Sequence, residues 1–221
     1  MPGTIASMRA KLSGGKVRRG RPKAADSDAI PTVILQAALL LFRKQGLAAT
    51  SIEQIAMAAS ASKTTIYRHF GSKEALAEAA VVLDGEAVIE TIKAADSSHP
   101  DPLVRLREVT FAIADFTALP SSADLYRFSL SAVPSVPAIG RAFAETGDAL
   151  RDMMRVHLVA AQADGALRQG DPDQMVRQLY DAVISPVWSD ALVMMDYVTD
   201  PARRGALVQQ NWDAFLRGAH P

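Results

Sequence analysis

Apolar side chains recur along this chain at intervals of three and four residues, the period of helices that bury one face. From about Ala29 to Gln45 the stripe is Val33, Ile34, Ala37, Ala38, Leu41 and Phe42. Pro31 fits the first turn, where a missing N–H costs nothing, and Gly46 ends the helix. A second helix opens at Thr50-Ser51-Ile52-Glu53, which reads as a capping box of Thr50 and Glu53, and its inner face is Ile52, Ile55, Ala56 and Ala59. Ser62 caps a third helix, Lys63 to His69, and Ser72 caps a long fourth one from Lys73 to about Ala95. Further on, Asp101-Pro102, Asp171-Pro172 and Asp200-Pro201 each set a capping carboxylate before a proline at the first helical position. Helices are predicted over 102–118, 122–132, 136–164, 172–196 and 201–217, with a kink at Pro186. Strand-type alternation is scarce, so the expected fold is all-α, with about nine helices. The short helices and brief breaks at its start predict an N-terminal helix-turn-helix domain.

Charge sharpens this picture. The chain of 221 residues has 24 Lys+Arg and 24 Asp+Glu, a formal net charge of zero. Residues 1–73 hold 12 basic and 3 acidic side chains, a net of +9, and residues 74–221 carry the compensating −9. Such asymmetry predicts a nucleic-acid-facing part joined to a part with another task. Residues 1–25 contain seven Lys/Arg and no acid, and read as a disordered basic arm. Within it, Arg19-Gly20-Arg21-Pro22-Lys23 resembles the AT-hook and similar arms that enter the minor groove.

Several classes drop out. With no cysteine, disulfide frameworks, thiolate metal sites and cysteine nucleophiles are excluded. No apolar run approaches the length of a membrane span, and the basic N-terminus has no apolar signal core, so a cytoplasmic protein without membrane contact is expected. No P-loop, dinucleotide fingerprint, nucleophile elbow or metal-ligand cluster occurs, so neither an enzyme nor a cofactor or metal site is expected.

Residues 34–76 carry the function. A helix that enters the major groove is polar outward and anchored inward. In the third helix Ile66 and Phe70 can anchor, leaving Lys63, Thr64, Thr65, Tyr67 and Arg68 facing outward. Lys63 can reach a guanine edge or a phosphate, Thr64 and Thr65 a thymine methyl, and Tyr67 and His69 phosphate oxygens. Ser72 and Lys73 open the fourth helix, where amides and dipole favour a phosphate. The register of Ala37-Ala38, Leu41-Phe42, Gly46, Thr50-Ser51, Ile55-Ala56, Ile66-Tyr67, His69-Phe70 and Lys73-Glu74-Ala75-Leu76 resembles the DNA-binding domain of the TetR family of transcriptional regulators. The resemblance implies DNA contacts at Thr50, Ser62, Lys63, Thr64, Thr65, Tyr67, His69 and Lys73, with Arg19 and Arg21 added from the arm. Two positions depart from the family pattern: Ser60-Ala61 stands where Gly-Val is common, and Thr64 where Gly or Pro is common.

The resemblance further implies residues 26–75 as DNA-binding domain and 76–221 as a larger helical domain for effector binding and dimerisation. In the family the last two helices form a four-helix dimer interface, with Leu192, Met195, Trp212 and Phe215 as candidates here. The family's pocket lies within the preceding helices, with Phe111, Asp115, Tyr126, Phe128, Met154, His157, Tyr180, Asp181 and Trp188 as candidate lining. The implied partners are a palindromic double-stranded operator, a second copy of the chain and a small apolar or aromatic effector. The function expected is a homodimeric regulator, most often a repressor in this family, released from DNA by its effector. The competing reading is a sequence-nonspecific, nucleoid-type protein that uses the basic arm; equal affinity for random and operator DNA would favour it.

Overall fold

The computed structural model describes residues 29–193 and 200–220, and these form nine α-helices and no strand. They are α1 (Ala29–Ala49), α2 (Ile52–Ala58), α3 (Lys63–Phe70), α4 (Lys73–Lys93), α5 (Pro102–Thr117), α6 (Pro120–Ala132), α7 (Pro137–Ala163), α8 (Pro172–Leu192) and α9 (Pro201–Ala219). The basic arm, with Arg19 and Arg21, and Met195 lie outside the described residues.

The starts of α5, α8 and α9 follow from the Asp-Pro pairs. Asp101 accepts from Leu103 N at 2.8 Å, Asp171 from Asp173 N at 2.9 Å and Asp200 from Ala202 N at 2.9 Å. The α2 cap differs from expectation. Ser51, not Thr50, is its N-cap, and the capping box pairs Ser51 with Gln54 rather than Thr50 with Glu53. Ser51 Oγ accepts from Gln54 N at 3.2 Å, and Gln54 Oε1 accepts from Ser51 N at 2.8 Å. Two overlapping Ser/Thr-x-x-Glu/Gln frames compete here, and Ser51, which is extended, takes the cap. In α1 the buried face is Ile34, Ala37, Ala38, Leu39 and Phe42, while Val33 is exposed and Leu41 half-buried. The run Leu39-Leu40-Leu41 is apolar all round the helix, so periodicity alone could not fix its rotation. Helix α8 continues through Pro186, which cannot donate to the carbonyl one turn back.

Three helix C-termini are closed by cations from elsewhere in the chain, where exposed carbonyls and the helix dipole favour positive charge. Lys73 Nζ donates to Leu47 O at 2.8 Å and Thr50 O at 3.0 Å, beyond the break at Gly46 (φ 79°) in α1. Arg127 donates to Ala191 O and Leu192 O at the end of α8, and Arg168 Nε donates to Gly218 O of α9.

The core of the larger part is built from α4, α5, α7, α8 and α9, with Ile92, Leu106, Val109, Ile113, Met154, Leu158, Leu179 and Val183 all nearly inaccessible to solvent. Helix α4 lies close along α7 at Gly85: a Cβ there would stand 2.2 Å from Thr146 Oγ1. A polar node ties the α4–α5 connection to α5 and α7. Arg105 grips Asp96 with both prongs of its guanidinium, at 3.0 and 2.8 Å, and the buried His157 ring meets the same carboxylate at 3.1 Å.

Candidate nucleic-acid interface and ligand cavity

Helices α2 and α3 are short, and α3 is held by one fully buried side chain, Ile66, with Phe70 half-buried below it. The turn between them is tight: Ser60 sits at φ 51°, a conformation that favours glycine. Ser62 caps α3, its Oγ accepting from Thr65 N at 3.0 Å and meeting Thr65 Oγ1 at 2.8 Å. Lys63, Thr64, Tyr67, Arg68 and His69 are exposed, with Lys63 and Tyr67 one turn apart. Lys63 Nζ pairs with Glu53 of α2 at 2.7 Å. That hydrogen bond holds the Glu53 carboxyl below its usual range, and Glu53 in turn raises the Lys63 ammonium. The outward face of α3 thus offers one cation parked on a neighbouring acid, a phenol, an imidazole, a guanidinium and hydroxyls.

Two residues expected at this face make hydrogen bonds within the chain. Thr50 is buried; its hydroxyl donates to Gly46 O at 2.7 Å and accepts from Gln45 Nε2 at 3.2 Å. Lys73 is half-buried and spends two of its three N–H donors on the carbonyls beyond the end of α1.

Between α4, α5, α6, α7 and α8 lies a cavity of about 50 Å³. Its wall is mainly apolar and aromatic: Val88, Ile113, Phe116, Phe143, Leu150, Tyr180 and Trp188, with Asp84, Thr117, Ser122 and Thr146 as the polar members. Trp188 Nε1 donates to Tyr180 Oη at 3.3 Å, and burial keeps the Tyr180 phenol above its usual pKa, so it stays protonated. Of the nine expected lining residues, Tyr180 and Trp188 reach this cavity.

The others are placed differently. Phe128 is stacked on Phe42 of α1 with ring centroids 5.4 Å apart, and Phe111 meets Trp212 edge-on at 6.1 Å under the Arg107 guanidinium. Met154 belongs to the closed core, and His157 faces Asp96. Tyr126 packs outside the cavity wall against Phe143 and Trp188. Asp115 and Asp181 are exposed, the first bonded to Arg204 and the second to Ser185. Asp84, Thr117, Ser122, Phe143 and Thr146 are lining residues that the sequence reading passed over. Asp84 could have been found, because it falls in the apolar series Ala77, Ala80, Val81, Gly85, Val88 of α4. Among the dimer candidates, Trp212 is buried within the chain itself, whereas Leu192 and Phe215 are half-buried. No described helix is long and apolar enough to cross a membrane.

Residues 34–80 match the bacterial regulatory proteins of the tetR family, and residues 104–218 match the AefR-like transcriptional repressor C-terminal domain. No curated protein matches the chain. Among solved structures, a TetR-family regulator of Mesorhizobium loti MAFF303099 superposes with TM-score 0.79 at 22% identity, covering 88% of this chain and 98% of that one. The flavonoid-responsive regulator FrrA gives 0.69 at 24% identity with the same coverage. A TetR-family regulator of Pseudomonas syringae pv. tomato str. DC3000 gives 0.64 at 25% identity, covering 86% of this chain and 96% of that one.

Proposed function

We propose, from the premise that this chain belongs to the TetR family of bacterial regulatory proteins, that it is a homodimeric repressor released from a palindromic operator by a small aromatic effector. The observation that carries the DNA side is the outward face of α3, polar and basic on a helix anchored by Ile66. Ser62, Lys63, Thr64, Thr65, Tyr67 and His69 are assigned to operator contact, and Arg19 and Arg21 to a basic arm over residues 1–25. Thr50 and Lys73 are assigned to positioning, since their polar groups hold the end of α1. Residues 26–75 then form the DNA-binding domain and 76–221 the effector and dimerisation domain. Dimerisation is assigned to the outer faces of α8 and α9, with Leu192 and Phe215 at the contact and Trp212 as the packing beneath. One helix-turn-helix covers little DNA, and a two-fold operator matches a two-fold protein.

The effector site is the cavity walled by Tyr180 and Trp188, in keeping with pockets that are mostly apolar with a few convergent polar groups. Effector binding would act by differential affinity for two arrangements of the recognition helices. The test is a titration of the full chain against the DNA upstream of its own gene over a range of salt. Tight binding to one two-fold site with a steep salt dependence is expected. Equal affinity for that DNA and for random duplex would refute the reading.

A further inference from the structure

The contact between Asp84 and Arg43 is incomplete in an informative way. Arg43 stands on α1, inside the helix-turn-helix, and Asp84 on α4, in the cavity wall. One guanidinium nitrogen of Arg43 donates to Asp84 Oδ1 at 2.6 Å, and both side chains are largely buried. An arginine and a carboxylate usually close a two-pronged fork. Here Asp84 Oδ2 and Arg43 Nε are both buried without a partner. A buried acceptor left unmet is costly and is relieved by any donor that can reach it. Asp84 is the cavity's charged member, and its charge is balanced by Arg43, so a neutral donor suits it better than a cation. Across the wall, Tyr180 Oη accepts from Trp188 and still has its own O–H to give. The remaining wall offers aromatic faces at Phe116 and Phe143.

We infer that the cavity is a site for neutral hydroxyaromatic molecules, with the ligand hydroxyl donating to Asp84 Oδ2 and accepting from Tyr180, and that Asp84 relays occupancy to α1 through Arg43. This rests on the effector reading above and makes it specific. A ligand that takes Asp84 Oδ2 rotates the carboxylate toward the cavity and so shifts the one ion pair joining α4 to Arg43. Helix α1 responds, and with it the end that Thr50 and Lys73 hold.

The probes are phenol and toluene, which have the same shape but differ in the donor. Titration of the full chain, followed by Trp fluorescence, should show phenol binding about tenfold more tightly than toluene, the scale of one buried hydrogen-bond partner. In Asp84→Asn, whose amide offers the cavity a donor in place of an acceptor, the ratio should fall below about twofold. Hydrogen exchange over Ala29–Ala49 should change on adding phenol to the wild type. It should not change in a variant carrying Arg43→Met with Asp84→Leu, an apolar pair chosen so that no buried charge is left alone. Failure of phenol to bind, equal affinity for both probes, or a phenol preference that survives Asp84→Asn would overturn the ligand class. An exchange response that persists in the double variant would overturn the relay. These readouts need no DNA, so loss of operator binding would count against the proposed function alone.

Discussion

Replacing Lys73 by Met separates a scaffold role from a phosphate contact. The substitution keeps most of the apolar stem and removes the ammonium. Two charge-assisted hydrogen bonds are lost, to Leu47 O at 2.8 Å and Thr50 O at 3.0 Å. If both carbonyls stayed dry, the loss would be roughly 3–6 kcal/mol, at about 1.5–3 for each bond to a charged group. Leu47 is half-buried, so its carbonyl regains water, while Thr50 is nearly inaccessible. The net expectation is about 2 kcal/mol, or a fall in Tm of about 4–8 °C for a chain of this size. Equilibrium unfolding in urea, read by circular dichroism, measures the stability. Operator affinity at a series of salt concentrations measures the phosphate count, since each lost contact lowers the slope by about one. A positioning lysine predicts a lower midpoint and an unchanged slope. A wild-type midpoint with a slope reduced by about one would refute the assignment and return Lys73 to the DNA face.

Three further outcomes follow from single positions. Ser60→Gly relieves a left-handed backbone at φ 51° and should stabilise the chain by about 1 kcal/mol, seen as a rise in Tm of about 2–4 °C. Gly85→Ala sets a methyl 2.2 Å from Thr146 Oγ1 and should cost about 1–3 kcal/mol, much of it recovered when Thr146→Ala is added; a double-mutant cycle without coupling would sink this account of the α4–α7 approach. At Asp96, burial raises the pKa, but the hydrogen bonds and charges of Arg105 and His157 outweigh it and hold the carboxyl below its usual range. A folded pKa below the unfolded one means that the stabilisation is present above the unfolded value and lost as pH falls through the folded one. Acid unfolding of Asp96→Asn should therefore lack the part of the pH dependence that the wild type shows below about pH 4.

The helix-turn-helix was legible because its signals are local. Ser62 and Ser72 cap where expected, Gly46 breaks α1, and Ile66 anchors α3. The larger part was legible in its helices but not in its site. Trp212 and Phe215 lie on the same apolar stripe, and a stripe does not say whether its cover is the same chain or another. Asp115 and Asp181, candidate lining residues by resemblance, have carboxylates that face outward, because an α-helix has an outer side to receive them. Asp84 was hidden by the opposite error: an acid on a helix reads as solvated unless its place in the apolar series is counted. The internal contacts of Lys73 could not have been read from sequence, since its partners are backbone carbonyls 26 and 23 residues away.

The size of the cavity also has a bearing on time. About 50 Å³ is far below the roughly 150 Å³ in which an apolar site holds a benzene ring, so the proposed ligand would have to widen the cavity as it enters. On that proposal ligand entry would be limited by how often the cavity widens, not by encounter, and the observed rate would level off at high ligand concentration. A protein gated in this way ignores molecules that come and go faster than it opens. Such a regulator would measure how long its ligand persists as well as how much is present.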